Sequence, residues 1–196
     1  ANAIAQSFKA KKYISTDTVS TIADGIAVKA PGDITVELIN RYADNVVTVT
    51  DNEISEAILL LMERCKQIVE PSGATPVAAV LKGKVDVKGK RVVCLLSGGN
   101  IDVSFIQCII EQGLVARHRR LRFTVKLLDK PGSLSHLLNH IAGQGANIVS
   151  VAHDRLSTAL SPNETNVSIT CEVGGAEHGK AVVSSLESFG YTVTIN

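Results

Sequence analysis

The sequence predicts an α/β protein in two parts. A partial parallel sheet covered by helices comes first, and a ferredoxin-like β-α-β-β-α-β unit follows it. Up to about residue 116, helical patterns alternate with short, wholly apolar runs, as in strands buried on both faces. After Arg117, apolar and polar residues alternate, which indicates strands with one face in water. We therefore divide the chain into residues 1–117 and 118–196, with a linker at about residues 114–119.

The bulk composition is that of an ordinary globular protein. Of the 196 residues, 45% are hydrophobic and 20% are charged, and the formal net charge is +1. This charge gives no reason to expect nucleic acid or an acidic membrane as a partner, and no run of about eighteen apolar residues could span a bilayer. The four cysteines are widely spaced, without a Cys-x-x-Cys pair, which argues against a zinc site or disulfides and favours a cytoplasmic protein.

In the first part, capping and helix-stopping residues set the predicted order of elements. Thr50 and Glu53 form a capping-box pattern, and apolar residues then recur at helical spacing. Pro71 should end that helix, because proline cannot supply the next backbone donor. The predicted elements are a strand at residues 45–49, a helix that reaches residue 70, a helix at residues 75–82 and a buried strand at residues 92–96.

In the second part, two amphipathic helices separate four strands. The predicted strands occupy residues 121–127, 147–152, 167–173 and 191–195. Ser133 is the expected N-cap of the first helix, and Gly190 is expected to close the second at its C′ position. The apolar stripe of the first helix consists of Leu134, Leu137, Leu138 and Ile141.

One segment combines a predicted buried strand with a glycine-containing turn. Residues 92–96 lead into Ser-Gly-Gly-Asn at residues 97–100, and a helix follows. In open α/β sheets, ligands lie beyond the carboxyl ends of the strands, where glycine lets a ligand approach the backbone. From spacing alone, a plain tight turn is the simpler interpretation and a ligand site is the alternative.

Three segments of the first part can be compared with known enzymes. Residues 20–28, 70–74 and 96–100 resemble motifs of threonine dehydratases, or threonine ammonia-lyases, in the same order and with similar spacing. These are pyridoxal-phosphate-dependent enzymes of fold type II, and serine racemases of that fold are similar too. The resemblance implies that the first part is the C-terminal portion of such a catalytic domain.

The resemblance also implies that pyridoxal phosphate is the cofactor and that five residues bind it. Ser97 would hydrogen-bond the pyridine nitrogen, where a neutral hydroxyl leaves the ring largely unprotonated and suits elimination chemistry. Gly98 follows in the same turn, and Asp24 and Gly25 would line the substrate and cofactor face. Glu70 would lie near the ring, with a solvated carboxylate at a helix end as the alternative.

The family's cofactor lysine and glycine run are not found in the sequence. The lysine motif has the form Ser-x-Lys-x-Arg-Gly, and Ser7-Phe8-Lys9 imitates only its start. The position of Lys9 ahead of residues 20–28 matches instead a surface helix of the family. We therefore expect no catalytic residue in this chain, the N-terminal part of the catalytic domain outside it, and no activity of the chain alone.

Residues 123–134, the Asn-Ile-Val at residues 147–149 and the order of the elements resemble the ACT domain, a regulatory module of many amino-acid enzymes. The resemblance covers residues 121–196. It implies an effector site at Gly132, Ser133 and Leu134, where helix N–H groups receive a carboxylate. Asn147 and Ile148 would take part across a dimer interface, with isoleucine or valine as the effector. The alternative is a domain that only joins subunits.

Together the two resemblances predict part of a homo-dimeric or homo-tetrameric threonine deaminase. The expected substrates are threonine and, as a second substrate, serine. The products from threonine would be 2-oxobutanoate and ammonia. No metal is expected, because His136 and His140 stand four apart without a third ligand nearby. Two alternatives stay open. One is a stand-alone, non-catalytic module that binds amino acids and dimerises, and the other is part of a related serine dehydratase or racemase.

Overall fold

The computed structural model describes residues 1–155 and 160–196 of the chain. Within these residues the chain forms two compact units, Ala1–Ile110 and Glu111–Asn196. The described helices include none with both the length and the apolar character that a membrane crossing requires.

The first unit consists of short helices joined by segments without regular secondary structure. Its helices are α1 (Ala3–Ala10), α2 (Asp33–Tyr42), α3 (Asp51–Leu60), α4 (Pro71–Leu81) and the first part of α5 (Val103–Ala116). A 3-10 turn covers Asp24–Ile26, and a π-helical turn, Leu61–Cys65, extends α3. The core lies mainly between α3 and α4, and its buried residues are Ala23, Ile54, Ala57, Ile58, Leu59, Leu61, Val69, Ala74, Ala78 and Ile109.

The start of α3 confirms the predicted capping box. The Thr50 hydroxyl accepts a hydrogen bond from the Glu53 backbone N–H at 3.3 Å, and the Glu53 carboxylate accepts one from the Thr50 N–H at 2.7 Å. Two backbone donors at the helix end are thereby satisfied. The hydrogen bond from Thr50, with the nearby Lys84 ammonium, lowers the pKa of Glu53, so this carboxylate stays charged at the positive end of the helix dipole.

The end of α3 corrects the prediction of a helix that reaches residue 70. The π-helical turn ends at Cys65, and Lys66 follows in a left-handed conformation with φ 57°. Pro71 starts α4 instead of stopping α3, because the first helical position does not need a backbone N–H and favours the fixed φ of proline. The second helix therefore begins before the predicted residue 75.

The two strands predicted in the first part are also corrected. Residues 45–49 and 92–96 have no regular secondary structure and join no sheet within the described residues. Val93 is 94% exposed and Leu95 is 73% exposed, although such a run is typical of a strand buried on both faces. A strand forms only when neighbours take its N–H and C=O groups, and the described part of this unit provides none. The α/β class is confirmed, but its parallel sheet is not formed in these residues.

The second unit confirms the predicted β-α-β-β-α-β order. Its elements are β1 (Arg120–Leu128), α6 (Ser133–Gly143), β2 (Asn147–Asp154), β3 (Glu164–Glu172), α7 (Ala176–Ser188) and β4 (Val193–Ile195). The strands pair antiparallel in the order β2-β3-β1-β4. The central pair extends from Arg120 opposite Glu172 to Leu128 opposite Glu164, and this arrangement is ferredoxin-like.

One core lies between a face of this sheet and the helices α6 and α7. Its buried side chains include Phe123, Val125, Leu127, Leu137, Ile141, Val167, Ile169, Cys171, Val182 and Leu186. Those of β1 and β3 alternate with residues of the other face, as the sequence predicts. Burial raises the pKa of the Cys171 thiol to about 11.

The helix ends of the second unit agree with the prediction at one position and differ at another. Gly190 follows α7 with φ 87°, and its N–H donates to the Glu187 carbonyl at 2.9 Å, which confirms it as the closing glycine. At α6, however, the N-cap is Gly132 with φ 90°, and Ser133 is the first helical residue. A left-handed φ favours glycine, because a Cβ is strained there, so the predicted Ser133 cap is wrong.

Candidate functional site

The five residues predicted to bind the cofactor come from three separate segments of the first unit. Asp24 and Gly25 lie in the 3-10 turn. Glu70 is the N-cap residue of α4. Ser97 and Gly98 lie in the irregular segment that precedes α5.

Backbone and carboxylate hydrogen bonds join the second and third segments. The Glu70 N–H donates to the Gly98 carbonyl at 3.1 Å, and the Asn100 N–H donates to Glu70 Oε2 at 3.3 Å. Glu70 is half-buried, and its carboxylate contacts the turn that contains Asn100. In this position the carboxylate accepts a hydrogen bond from a backbone N–H of the turn.

Two glycines allow the three segments to approach closely. A Cβ at Gly98 would lie 2.8 Å from Glu70 Oε1, and its φ of 129° disfavours any side chain. A Cβ at Gly25 would lie 2.8 Å from Ser72 Oγ and 3.5 Å from Glu70 Oε1. Gly25, Glu70, Ser72 and Gly98 therefore form one group, which we call the Glu70 cluster.

Ser97 borders this cluster. A Cβ at Gly73 would lie 3.2 Å from the Ser97 backbone nitrogen, so the start of α4 packs directly against the turn. Ser97 itself is exposed. The structure thus brings together Gly25, Glu70, Ser97 and Gly98, four of the five predicted residues.

Asp24 precedes Gly25 in the sequence, but it lines a cavity beside the Glu70 cluster. Its carboxylate accepts a hydrogen bond from the Gly25 N–H at 2.8 Å. It also lines a cavity of about 550 Å³, whose other lining residues are Ile22, Pro71, Asn100, Ile101, Asp102, Ser104, Phe105 and Cys108. The remaining four predicted residues do not line this cavity, which therefore neighbours the Glu70 cluster through Pro71 and Asn100.

The sequence interpretation missed Ser72. Its Oγ is buried and has no hydrogen-bond partner among the described residues. A buried hydroxyl without a partner is costly, and the close approach of Gly25 covers this one. The available signal was its place beside Glu70 in one of the three motifs.

The effector residues predicted in the second unit lie around a separate cavity of about 500 Å³. Gly132, Ser133 and Leu134 line it, together with Leu127, Leu128, Asp129, Lys130, Pro131, His153, Arg155 and Thr165. We call this the α6 cavity. Asn147 and Ile148, at the start of β2, do not line it and instead pair with Glu172 and Cys171 of β3.

His140, one of the two histidines of α6, packs against two aromatic rings. The His140 ring stacks on Phe189, with ring centroids 3.9 Å apart, and meets the edge of Tyr191 at 5.9 Å. Across residues 1–155 and 160–196, no group of three or more His, Cys, Asp or Glu side chains could hold a metal ion.

A comparison with known families gives a match over half of the chain. A family model described as pyridoxal-phosphate dependent enzyme matches residues 1–98, which contain all five predicted cofactor residues. The chain belongs to this family of pyridoxal-phosphate dependent enzymes.

Individual relatives within this family are similar to the chain over different parts of its length. The chain is 45% identical to the L-threonine ammonia-lyase of Geobacter sulfurreducens over 94% of its own length and 46% of that protein. It is 43% identical to the L-threonine ammonia-lyase of Thermotoga maritima over 89% of its length and 43% of that protein. The structure of maize serine racemase matches 60% of this chain and 37% of that one at 32% identity, with a TM-score of 0.50. The chain spans less than half the length of these relatives.

The Glu70 cluster and the neighbouring Ser97 fit the cofactor of the family. The exposed Ser97 hydroxyl is a neutral hydrogen-bonding group beside the cluster. Gly25 and Gly98 add no side chain to this surface. A planar ring with a polar nitrogen needs such a surface, because its faces require close backbone approach and its edge requires a donor.

Proposed function

We propose that this chain is part of a threonine ammonia-lyase, which converts threonine to 2-oxobutanoate and ammonia. The observation that carries the proposal is the meeting of three distant motifs in the Glu70 cluster. The two relatives named L-threonine ammonia-lyase, at 45% and 43% identity, support threonine as the substrate. The proposal extends to a cytoplasmic homo-oligomer as the working form.

Each residue of the site has a proposed role. Ser97 donates a hydrogen bond to the pyridine nitrogen of the cofactor and keeps it neutral. Gly25 and Gly98 let the ring approach the backbone, and Glu70 stays beside the ring through its bond from the Asn100 N–H. Asp24 lines the substrate side. Pyridoxal phosphate, when bound, supplies an electron sink for the charge left on the substrate after its α-proton is removed.

The lysine that removes the α-proton is not assigned to this chain. Lys9 is exposed in the last turn of α1 and lies outside the three segments that form the Glu70 cluster. The chain covers 46% and 43% of the two named relatives. We propose that the catalytic lysine belongs to the part of the enzyme that this chain does not cover. The 196-residue chain alone should therefore show no turnover.

We further propose that residues 118–196 form an ACT domain whose effector is a small amino acid, isoleucine or valine. The β-α-β-β-α-β order and the α6 cavity of about 500 Å³ beside Gly132 support this reading. Asn147 and Ile148 would contribute from the partner subunit. They lie on β2, an outer strand of the sheet, and outer strands tend to be paired or covered.

The test compares the full-length protein with the 196-residue chain. Both are assayed with threonine and with serine for release of the 2-oxo acid, with and without isoleucine. We expect turnover of threonine by the full-length protein alone, and a change in that turnover when isoleucine is added. Interconversion of serine enantiomers without 2-oxo acid would instead support a racemase, an alternative that the likeness to maize serine racemase favours. Amino-acid binding by the chain without any turnover in the full-length protein would support a stand-alone binding module.

A further inference from the structure

The rim of the α6 cavity carries an ion pair drawn from two distant parts of the chain. Arg155, just after β2, places its Nε 2.9 Å from Asp129 Oδ2, and a terminal guanidinium nitrogen 3.0 Å from Oδ1. Two parallel bonds of this kind are the fork geometry that arginine forms with a carboxylate. The Arg155 side chain is 61% exposed and that of Asp129 is 30% exposed, so both remain accessible to a ligand.

The wall behind this pair is apolar. Leu127 is 6% exposed, and Leu134 packs beside the core of the unit. Thr165, a polar residue of the lining, already donates its hydroxyl to the Asp154 carbonyl at 2.7 Å. A molecule in the α6 cavity thus meets the Asp129 carboxylate and the Arg155 guanidinium at the rim, with leucine side chains among the lining residues behind them.

We propose that Asp129 and Arg155 together receive the two charges of a free α-amino acid with an apolar side chain. The carboxylate of the ligand binds Arg155, its ammonium group binds Asp129, and its side chain lies against Leu127 and Leu134. This inference rests on the proposed effector function and adds the residues that select a zwitterion.

Replacing the Asp129–Arg155 ion pair with two bonds to a ligand is energetically reasonable. An exposed ion pair contributes little stability, because water screens it and holding two side chains costs entropy. Binding replaces one such pair with two, each covered in part by the ligand. The Arg155 fork and the Asp129 carboxylate are already oriented toward each other, so little further ordering is needed.

The same arrangement should reject ligands with a single charge. A monocarboxylate that takes Arg155 leaves the Asp129 carboxylate without its partner and close to a like charge. An amine that takes Asp129 leaves the Arg155 guanidinium unpaired. Lys130, also on the rim, adds a second positive charge, so the amine should be the weaker of the two analogues.

The experiment is calorimetric titration of the 196-residue chain with three probes of matched shape. These are isoleucine, 3-methylpentanoate, which lacks the ammonium group, and 2-methylbutylamine, which lacks the carboxylate. The variants are Arg155→Met, Arg155→Lys and Asp129→Asn. The control is Lys126→Met, which breaks a different ion pair of the same unit, with Glu164 at 3.4 Å.

For the wild type and Lys126→Met we expect isoleucine to bind at least about 10-fold more tightly than either analogue. Arg155→Met should weaken isoleucine by about 10- to 100-fold, and Arg155→Lys should recover part of that loss, because it keeps the charge but not the fork. Asp129→Asn should remove the preference for isoleucine over 3-methylpentanoate. Circular dichroism and thermal unfolding check that each variant is folded.

Three results would overturn the inference. If isoleucine binds the wild type and all folded variants equally, the ion pair is not the receptor, while the proposed effector function stands. Tighter binding of 3-methylpentanoate than of isoleucine would show that the rim is only an anion site. If isoleucine does not bind the wild type, the inference and the proposal of isoleucine as the effector both fail.

Discussion

The two units of this chain differ in how completely they bury their apolar residues. In residues 111–196, the side chains of β1 and β3 alternate between a dry core and water, and Phe123 and Val125 have no exposed surface. In residues 1–110, the helices α3 and α4 bury a core of their own, but the irregular segment before α5 leaves Val93 94% exposed. The second unit buries the apolar residues of its strands in one core. The first unit exposes an apolar segment whose composition is typical of a strand.

The difference shows what makes a strand out of an apolar run. Residues 92–96 have a composition as favourable for a strand as residues 121–127. The second run has β3 and β4 on either side, each pairing with it in register. The first has no such neighbour in the described residues, so its N–H and C=O groups remain outside any ladder.

The largest expected effect comes from separating the units. Residues 111–196 expressed alone should keep the four-stranded sheet and unfold cooperatively, because all the strands of that sheet lie within them. Residues 1–110 alone should bind a hydrophobic dye strongly and unfold without a sharp transition. Circular dichroism and dye fluorescence test both fragments. A cooperative transition in residues 1–110 without dye binding would remove the contrast between the units.

A pair of core and surface substitutions should sharpen the same contrast. Phe123→Ala deletes a fully buried ring, so it should lower the free energy of unfolding by about 3–5 kcal/mol. Val93→Ala should change it by less than about 0.5 kcal/mol, because the side chain is already in water. Urea denaturation of the 196-residue chain measures both. Equal losses would mean that Val93 is covered in solution.

Ser97→Ala tests the cofactor site of the less closed unit. In the full-length protein, loss of one hydrogen bond to the pyridine nitrogen should lower turnover by about 10- to 1,000-fold without changing the melting temperature. Ser15→Ala, an exposed serine of the same unit, is the matched control and should leave turnover unchanged. Unchanged turnover in Ser97→Ala, with the cofactor fully bound, would show that Ser97 does not contact the ring nitrogen.

The smallest expected effect is a dependence of stability on pH in the second unit. Burial raises the pKa of Cys171 to about 11 from an ordinary value of 9.0. Between these values the unfolded thiol ionises while the folded one keeps its proton, so stability falls as pH rises. Over that range Cys171 should account for a loss on the order of 1–3 kcal/mol.

Cys171→Ala provides the comparison, because other groups also titrate at alkaline pH. Urea denaturation of both proteins between pH 8 and about pH 11 should show a steeper decline for the wild type. The exposed Cys65 of the first unit is the control, and Cys65→Ala should leave the wild-type slope intact. Parallel slopes for wild type and Cys171→Ala would contradict a shielded thiol.

Much of the second unit could be predicted from local patterns. The alternation in residues 121–127, the stripe of α6 and the closing Gly190 each depend on neighbours within a few residues, and all three agree with the structure. The Thr50 capping box is equally local, because its partners are three residues apart. Motif resemblance supplied the cofactor residues, four of which the structure then brings together.

What local patterns could not supply depends on long-range contacts. The state of residues 92–96 depends on whether other strands lie alongside, and the start of α4 at Pro71 depends on where α3 has already ended. Ser72 becomes notable only because Gly25, far away in sequence, packs over its hydroxyl. Asp129 and Arg155 are 26 residues apart and meet at the α6 cavity only because β2 ends beside the loop that follows β1. Periodicity encodes which side of an element is buried, whereas pairing between distant segments is set by the packing of the whole unit.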